Sequence, residues 1–221
     1  LENKVYTEAS VFLPENLLRE AKRQKGIPNC HVPGICVLDP DGDLADYLLK
    51  TKRASLNECW ACYHSKMYSF KIDDVEMGII PCIVGASYAV LVAEQLFVSG
   101  CKILISVTSA GIIKHTSHSK RFALLTESVR DEGTSYHYLP QNSAARLPQT
   151  LYKKLAVNSG NSSCPYFEAK SSAVWKWKHP LFMLLERLND KTLSALRISP
   201  IQWRKQKVIL KKENILEASI H

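Results

Sequence analysis

Four consecutive residues, Thr108-Ser109-Ala110-Gly111, place two hydroxyls, a small side chain and a glycine directly after the apolar run Ile103-Leu104-Ile105. Backbone N–H groups and hydroxyls crowded at the C-terminal end of a strand are the parts from which open α/β sheets build sites for small anions. A second stretch of this kind, Asp39-Pro40-Asp41-Gly42-Asp43, follows the buried-strand run Gly34 to Leu38. That stretch is first of all a turn, whatever it binds. Other chemistry is thinner. Cys59-Trp60-Ala61-Cys62 has metal-ligand spacing but no second pair, and reads as two buried thiols on a strand rather than a zinc or redox site. His115 and His118 lie in the polar run Lys114 to Arg121 with no acidic or Cys partner nearby, which reads as a solvated loop. No metal site is expected.

The elements that must carry these residues can be read in order. Val11 to Gly26 reads as a helix, with Pro14 in its first turn, Leu13, Leu17, Leu18 and Ala21 at helical spacing, and Gly26 to stop it. Pro28 to Pro33 is a loop, and Leu44 to Lys52 a short helix. Glu58 to His64 and Met67 to Ile72 read as two strands, and Met77 to Val84 as a third. Pro81 inside that third run points to an edge or a bulge. Gly85 to Gly100 is apolar around most of its circumference, as a buried helix would be, and Gly100 ends it. Phe122 to Val129 reads as another buried strand, and Asn142 to Pro148 as a boundary. No internal repeat is visible. This order implies an α/β fold, a mixed central sheet with flanking helices, incomplete at the C-terminus.

Bulk composition narrows the class. The chain has 221 residues, 46% hydrophobic and 23% charged, an ordinary globular balance. No apolar run is long enough to span a membrane, and the N-terminus has no apolar signal core. The chain opens on Leu1 without an initiator Met, and is expected to be a fragment or an incomplete gene model. Seven cysteines, an odd number, fit a reducing, cytoplasmic setting. The net charge of +8 is confined to one region: residues 151–221 hold 13 Lys and Arg against 5 Asp and Glu, whereas residues 1–150 are balanced.

Several motifs in order carry a resemblance. The Gly85 helix, the strand closed by Thr108 to Gly111, and Arg130-Asp131-Glu132-Gly133-Thr134-Ser135-Tyr136-His137-Tyr138-Leu139-Pro140 resemble the nucleoside phosphorylase family, which includes uridine phosphorylase and the purine enzymes. The last segment is similar to the Arg-x-Asp-Gly-x-Ser-x-His-aromatic-x-Pro pattern of uridine phosphorylases. The resemblance runs from about Val11 to Arg146. It implies cleavage of a nucleoside's N-glycosidic bond by inorganic phosphate as co-substrate, with no cofactor, in a homo-oligomer. The transition state is oxocarbenium-like, so positioning and electrostatics would carry most of the rate. It also implies that Gly42, Thr108, Ser109, Ala110 and Gly111 bind phosphate and ribose, with Ser109 foremost. Under a second reading, Ser106 and Ser109 are simply satisfied strand-end hydroxyls. Two departures stand out. Where the family carries phosphate-binding arginines, this chain has Asp46 and Ser106; where relatives carry a His-Arg pair, it has His64 and Ser65.

The resemblance fades after Arg146, and the genetic code suggests a reason. Trp has one codon, TGG, and Lys is encoded by AAA or AAG. Reading Val174-Trp175-Lys176-Trp177-Lys178 one base earlier forces two glutamates and permits Val-Glu-Met-Glu, the family's missing sugar-binding motif. The expectation is therefore a phosphorylase-like domain over 1–146 and a basic tail over 147–221 that is out of frame from roughly residue 150, loosely packed, with Leu181 to Leu196 as its one candidate helix. The competing reading makes the tail a binder of nucleic acid or anionic membrane through Arg204 to Lys207, Lys211 and Lys212, with Trp175 and Trp177 stacking on bases. The absence of any nucleic-acid fold pattern weighs against it. A third possibility is a non-catalytic homologue that keeps the fold core. Neither nucleic acid nor membrane is the expected partner; nucleoside and phosphate are.

Overall fold

The computed structural model describes residues 5–8, 10, 11–109, 122–130, 132–153 and 166–171. The first helix, α1 (Pro14–Lys25), begins on Pro14 and ends at Gly26, whose φ of +64° is the left-handed conformation that stops a helix. Leu18 and Ala21 are its buried face, and they pack on Ala61 and Ile27.

A five-stranded sheet forms the centre. Its strands are β1 (Ile35–Asp39), β2 (Ala54–Leu56), β3 (Tyr68–Ile72), β4 (Val75–Pro81) and β5 (Ile103–Ser106), in the spatial order β2-β3-β4-β1-β5. β1 runs parallel to β4 and β5, while β2 and β3 are added antiparallel, so the sheet is mixed as expected. Every residue of β1 is buried. Alternation along that strand explains how one short segment serves two layers. Cys36 and Leu38 face one side, where Ala89, Val92 and Leu96 of α3 (Ala86–Val98) cover them. Ile35 and Val37 face the other, where Ala45 and Leu48 of α2 (Asp43–Lys50) cover them. Two helices on opposite faces of a parallel centre follow from that pattern.

Three expectations change. Residues 57–64 are loop and not strand: Trp60, Ala61 and Cys62 are buried without joining a ladder. Cys59 is joined to Cys30 in a disulfide, while Cys62 is a free buried thiol, so the pair is not two strand thiols, and two of the seven cysteines are not reduced. Lys25 Nζ donates to the carbonyls of Ala61 (2.9 Å) and Cys62 (2.6 Å), and Tyr63 donates to Gln24 (2.8 Å), so α1 holds this loop. Second, β4 is an interior strand. Pro81 is its last residue, paired with Asp39, and the next N–H, that of Cys82, donates to the Asp39 carbonyl at 2.8 Å. A proline at the terminal register costs the ladder no bond there.

Third, β6 (Phe122–Ser128) does not enter the main sheet and is not buried. It lies between β7 (Ala145–Arg146) and β8 (Tyr166–Ser171) in a three-stranded sheet, antiparallel to the first and parallel to the second. Arg146 and Lys170 both pair with Glu127 across it, at 3.3 and 3.2 Å, which holds the Glu127 carboxyl below the usual range. Apolar packing continues past Arg146: Leu147 and Leu151 join the cluster around Ile35, Val37 and Ile103. The loop carrying His115 and His118, Cys164 and the whole of Leu181 to Leu196 lie outside the described residues. Among the described residues no helix is long and apolar enough to cross a membrane.

Candidate functional site at the strand ends

The sheet reverses direction of build at β1. The chain leaves β1 towards β2, β3 and β4 on one side, and returns through α3 to β5 on the other. Ligands of open α/β sheets bind outside the carboxyl ends of the strands at such a switch point. Three segments meet there: 39–42 after β1, 82–85 after β4, and 106–109 after β5. The Val107 N–H donates to the Leu38 carbonyl at 3.0 Å, carrying the parallel ladder to its rim.

The first segment is fixed by Asp39. Its side chain is 2% exposed, and its two carboxylate oxygens accept the N–H groups of Gly42 (3.1 Å) and Ala45 (2.9 Å). Asp39 therefore stabilises the first turn of α2 from below. Gly42 caps that helix with φ +81°, and a Cβ there would stand 3.1 Å from Cys82 Sγ. The conformation favours glycine, and a side chain there would also have to displace the Cys82 thiol. Burial pushes the Asp39 carboxyl above the usual range, the backbone N–H donors pull it down by less, and Asp41 adds to the rise.

A carboxyl with a raised folded-state value binds its proton more tightly in the folded chain. Its contribution is full below about pH 3.9, the unfolded value, and is lost as pH rises through the folded value. Asp39→Asn removes that dependence. Relative to wild type, the variant is expected to gain stability as pH climbs from about 4 towards neutrality. Denaturant midpoints across a pH series test this; a difference between the two proteins that stays constant with pH would count against it.

The third segment is bound to the first. Asp41 Oδ2 accepts the Ser109 N–H at 2.6 Å and the Thr108 hydroxyl at 3.3 Å. Gly42, Thr108 and Ser109 are thus brought to one rim, whereas Ala110 and Gly111 lie outside the described residues. The reading of both serines as satisfied hydroxyls fails for Ser106, whose Oγ is buried with no hydrogen-bond partner. Asp46 pairs with Lys50 at 2.7 Å on the exposed side of α2. His64 is exposed, its carbonyl accepting the Tyr88 hydroxyl at 2.8 Å, and Ser65 accepts the indole N–H of Trp60 at 2.9 Å. Among the described residues no group of three metal-ligating side chains occurs.

A further segment, 132–143, is organised by the guanidinium of Arg130. Arg130 donates to the Ser135 hydroxyl (3.0 Å) and to the carbonyls of Leu139 (2.8 Å), Pro140 (2.6 Å) and Ser143 (2.8 Å), and lies over the Tyr136 ring. Glu132 accepts the N–H groups of Thr134 and Ser135 at the start of a single 3-10 turn, Thr134–His137. That turn reaches α3 twice. Thr134 and Ser87 share a hydroxyl–hydroxyl bond of 2.8 Å beside the N-terminus of α3, and Tyr138 donates to Glu94 at 2.5 Å. Burial and this contact raise the Tyr138 phenol above its ordinary value.

Sequence reasoning missed Asp41, the residue bonded to two of the five expected ligand-binding positions, Thr108 and Ser109. The available signal was the flanking of Gly42 by two aspartates.

These features define a class. The chain has a nucleoside-phosphorylase-like fold: a mixed α/β sheet with helices on both faces and a rim of short turns at its switch point. Among solved structures, it is similar to uridine phosphorylase from Vibrio fischeri ES114. The TM-score is 0.52 at 19% identity, covering 67% of this chain and 63% of that one. The same enzyme in complex with 6-hydroxy-1-naphthoic acid matches with a TM-score of 0.51 at 20% identity, over 64% and 59%. Purine nucleoside phosphorylase from Toxoplasma gondii in complex with immucillin-H matches with a TM-score of 0.52 at 13% identity, over 65% and 56%. The chain therefore spans about three fifths of the length of these structures. No family model and no curated protein sequence matches it.

Proposed function

We propose that the chain derives from a nucleoside phosphorylase of nucleoside salvage and, as written, is impaired in phosphate-dependent cleavage of the glycosidic bond. The observation that carries this is the convergence of Gly42, Thr108 and Ser109 at the switch point of a phosphorylase-like sheet, 67 residues apart in sequence for the pair Asp41–Thr108 that joins them. In this reading the rim descends from the phosphate- and ribose-binding rim of the parent enzyme, Ala110 and Gly111 complete it, and copies of the chain assemble as an oligomer in the cytoplasm. Residues 147–221 are the basic, out-of-frame tail, and the sugar-binding and base-reading residues are missing with it. The choice between pyrimidine and purine rests on those missing residues.

The reading makes two measurable claims. Purified full-length chain supplied with uridine or inosine and phosphate is expected to release no measurable ribose-1-phosphate, yet to bind nucleoside weakly with perturbation of the Thr108 and Ser109 amides in an NMR titration. Robust product formation overturns the impairment. Failure to bind either nucleoside favours the alternative, a non-catalytic homologue that keeps only the fold core. The transcript across the codons for residues 140–180 decides the origin of the tail. A single-base discrepancy there restores Val-Glu-Met-Glu, and a confirmed transcript makes the basic tail a genuine product.

A further inference from the structure

We propose that Asp41 is the anion of its own site: its carboxylate fills the cradle formed by the Ser109 N–H and the Thr108 hydroxyl, and so excludes free phosphate from the rim. This rests on the reading of Thr108 and Ser109 as the anion-binding turn.

Three observations carry the inference. The first is contact: Asp41 Oδ2 takes both donors, the Ser109 N–H at 2.6 Å and the Thr108 hydroxyl at 3.3 Å. An N–H donor satisfied by a charged acceptor at that distance makes one of the stronger hydrogen bonds available to a protein. A diffusing anion would have to displace it. The second is placement. Asp41 is not on a loose loop. Asp39 below it binds Gly42 and Ala45 through its side chain, and its carbonyl accepts the N–H groups of Gly42 (3.2 Å) and Cys82 (2.8 Å). The residue is held between a buried aspartate and a glycine at φ +81°, so the turn that presents its carboxylate is set by the fold and needs little further ordering.

The third is the charge around the rim. At the two positions where the family resemblance calls for arginine, the chain has Ser106, whose hydroxyl is buried without a partner, and Asp46, which is committed to Lys50. Asp39 and Asp43 flank Asp41 in sequence. Neither of these two positions brings a cation to the Ser109 N–H; the aspartate supplies its acceptor within the chain. The contact thus determines which second substrate the site admits. Phosphate meets a carboxylate of like charge already seated on its donors, whereas a neutral, hydroxyl-rich ligand such as a ribose meets an acceptor.

The test uses the full chain, Asp41→Ala and Asp41→Asn, with inorganic phosphate as the probe. Two readouts are followed: the amide proton of Ser109 by NMR, and phosphate binding by calorimetry. In wild type the Ser109 amide is expected far downfield, as for an N–H bonded to a carboxylate, and to move upfield in Asp41→Ala. Phosphate is expected to saturate Asp41→Ala at least about tenfold more tightly than wild type, with Asp41→Asn between them because it keeps an acceptor and loses the charge. Phosphate binding of equal strength in all three proteins overturns the proposal. So does a wild-type Ser109 amide that does not respond to the substitution, and so does a released Ser109 N–H in Asp41→Ala that takes up no phosphate. Uridine binding to wild type is measured alongside. Its absence together with the expected phosphate pattern overturns the phosphorylase-derived reading and leaves the role of Asp41 standing.

Discussion

Arg130→Ala is expected to lower the unfolding free energy by about 2–4 kcal/mol and to expose residues 130–143 to proteolysis. Four acceptors depend on this one guanidinium: the Ser135 hydroxyl and the carbonyls of Leu139, Pro140 and Ser143. A hydrogen bond to a charged group contributes about 1.5–3 kcal/mol, but the four share one side chain and two of the acceptors can turn to water, so the sum is not additive. The planar fork also lies over Tyr136, whose hydroxyl donates to the Arg130 carbonyl at 2.8 Å, closing the segment on itself. Arg130→Lys separates charge from geometry. A lysine keeps the charge but cannot span three carbonyls and a hydroxyl, so it is expected to recover less than half of the loss. Chemical denaturation with limited proteolysis reads both variants. A midpoint unchanged in Arg130→Ala would mean that the segment holds its shape without the guanidinium.

The second large effect is expected at Leu151→Ala, with a loss of about 2–5 kcal/mol, the range for truncating a buried leucine. Leu151 is 1% exposed and packs in the cluster formed by Ile35, Val37, Leu48 and Ile103 beneath the central sheet. The site of this residue makes the result informative beyond stability. It lies past Arg146, where the family resemblance in the sequence ends, and close to the point where the reading frame is proposed to change. A full loss places the last evolved core contact at or beyond residue 151. A loss below about 1 kcal/mol, the scale of an ordinary surface change, would mean that the core closes without it. Denaturant midpoints of wild type and Leu151→Ala decide the matter, with Leu147→Ala as a neighbour that is only half-buried.

The central sheet was legible because glycine and apolar runs punctuate it clearly. Gly26, Gly42, Gly85 and Gly100 all adopt positive φ at element boundaries, and β1, residues 77–80 of β4 and residues 103–104 of β5 are buried runs of a covered sheet. The failures have a common cause. An apolar run reports burial and not hydrogen bonding, so Trp60, Ala61 and Cys62 read as strand although they are buried in a loop held by α1. The same signal misplaced β6, whose apolar residues are only partly covered in a three-stranded sheet. Pro81 was misjudged because its missing N–H matters only inside a ladder, and it occupies the last rung.

At the candidate site, the strand-end hydroxyls were legible from their own neighbourhood. Their partner was not. The bond that the Ser109 N–H donates to Asp41 joins residues 68 apart; the aspartates beside Gly42 mark a carboxylate at a turn but not the strand end that it meets. The same holds for the Cys30–Cys59 link, 29 residues apart. Local pattern found the rim, and only the register of β1 against β5 could show what fills it.

Asp39 has one more consequence. A buried carboxylate that binds the N–H groups of Gly42 and Ala45, with a backbone carbonyl that receives Cys82, keeps the rim in shape with no guest present. The shape of the rim is thus set from beneath, independently of the side chains on its outer surface. Substitution of an exposed rim side chain such as Ser109 therefore leaves these bonds untouched, because Ser109 is tied to the rim through its backbone N–H.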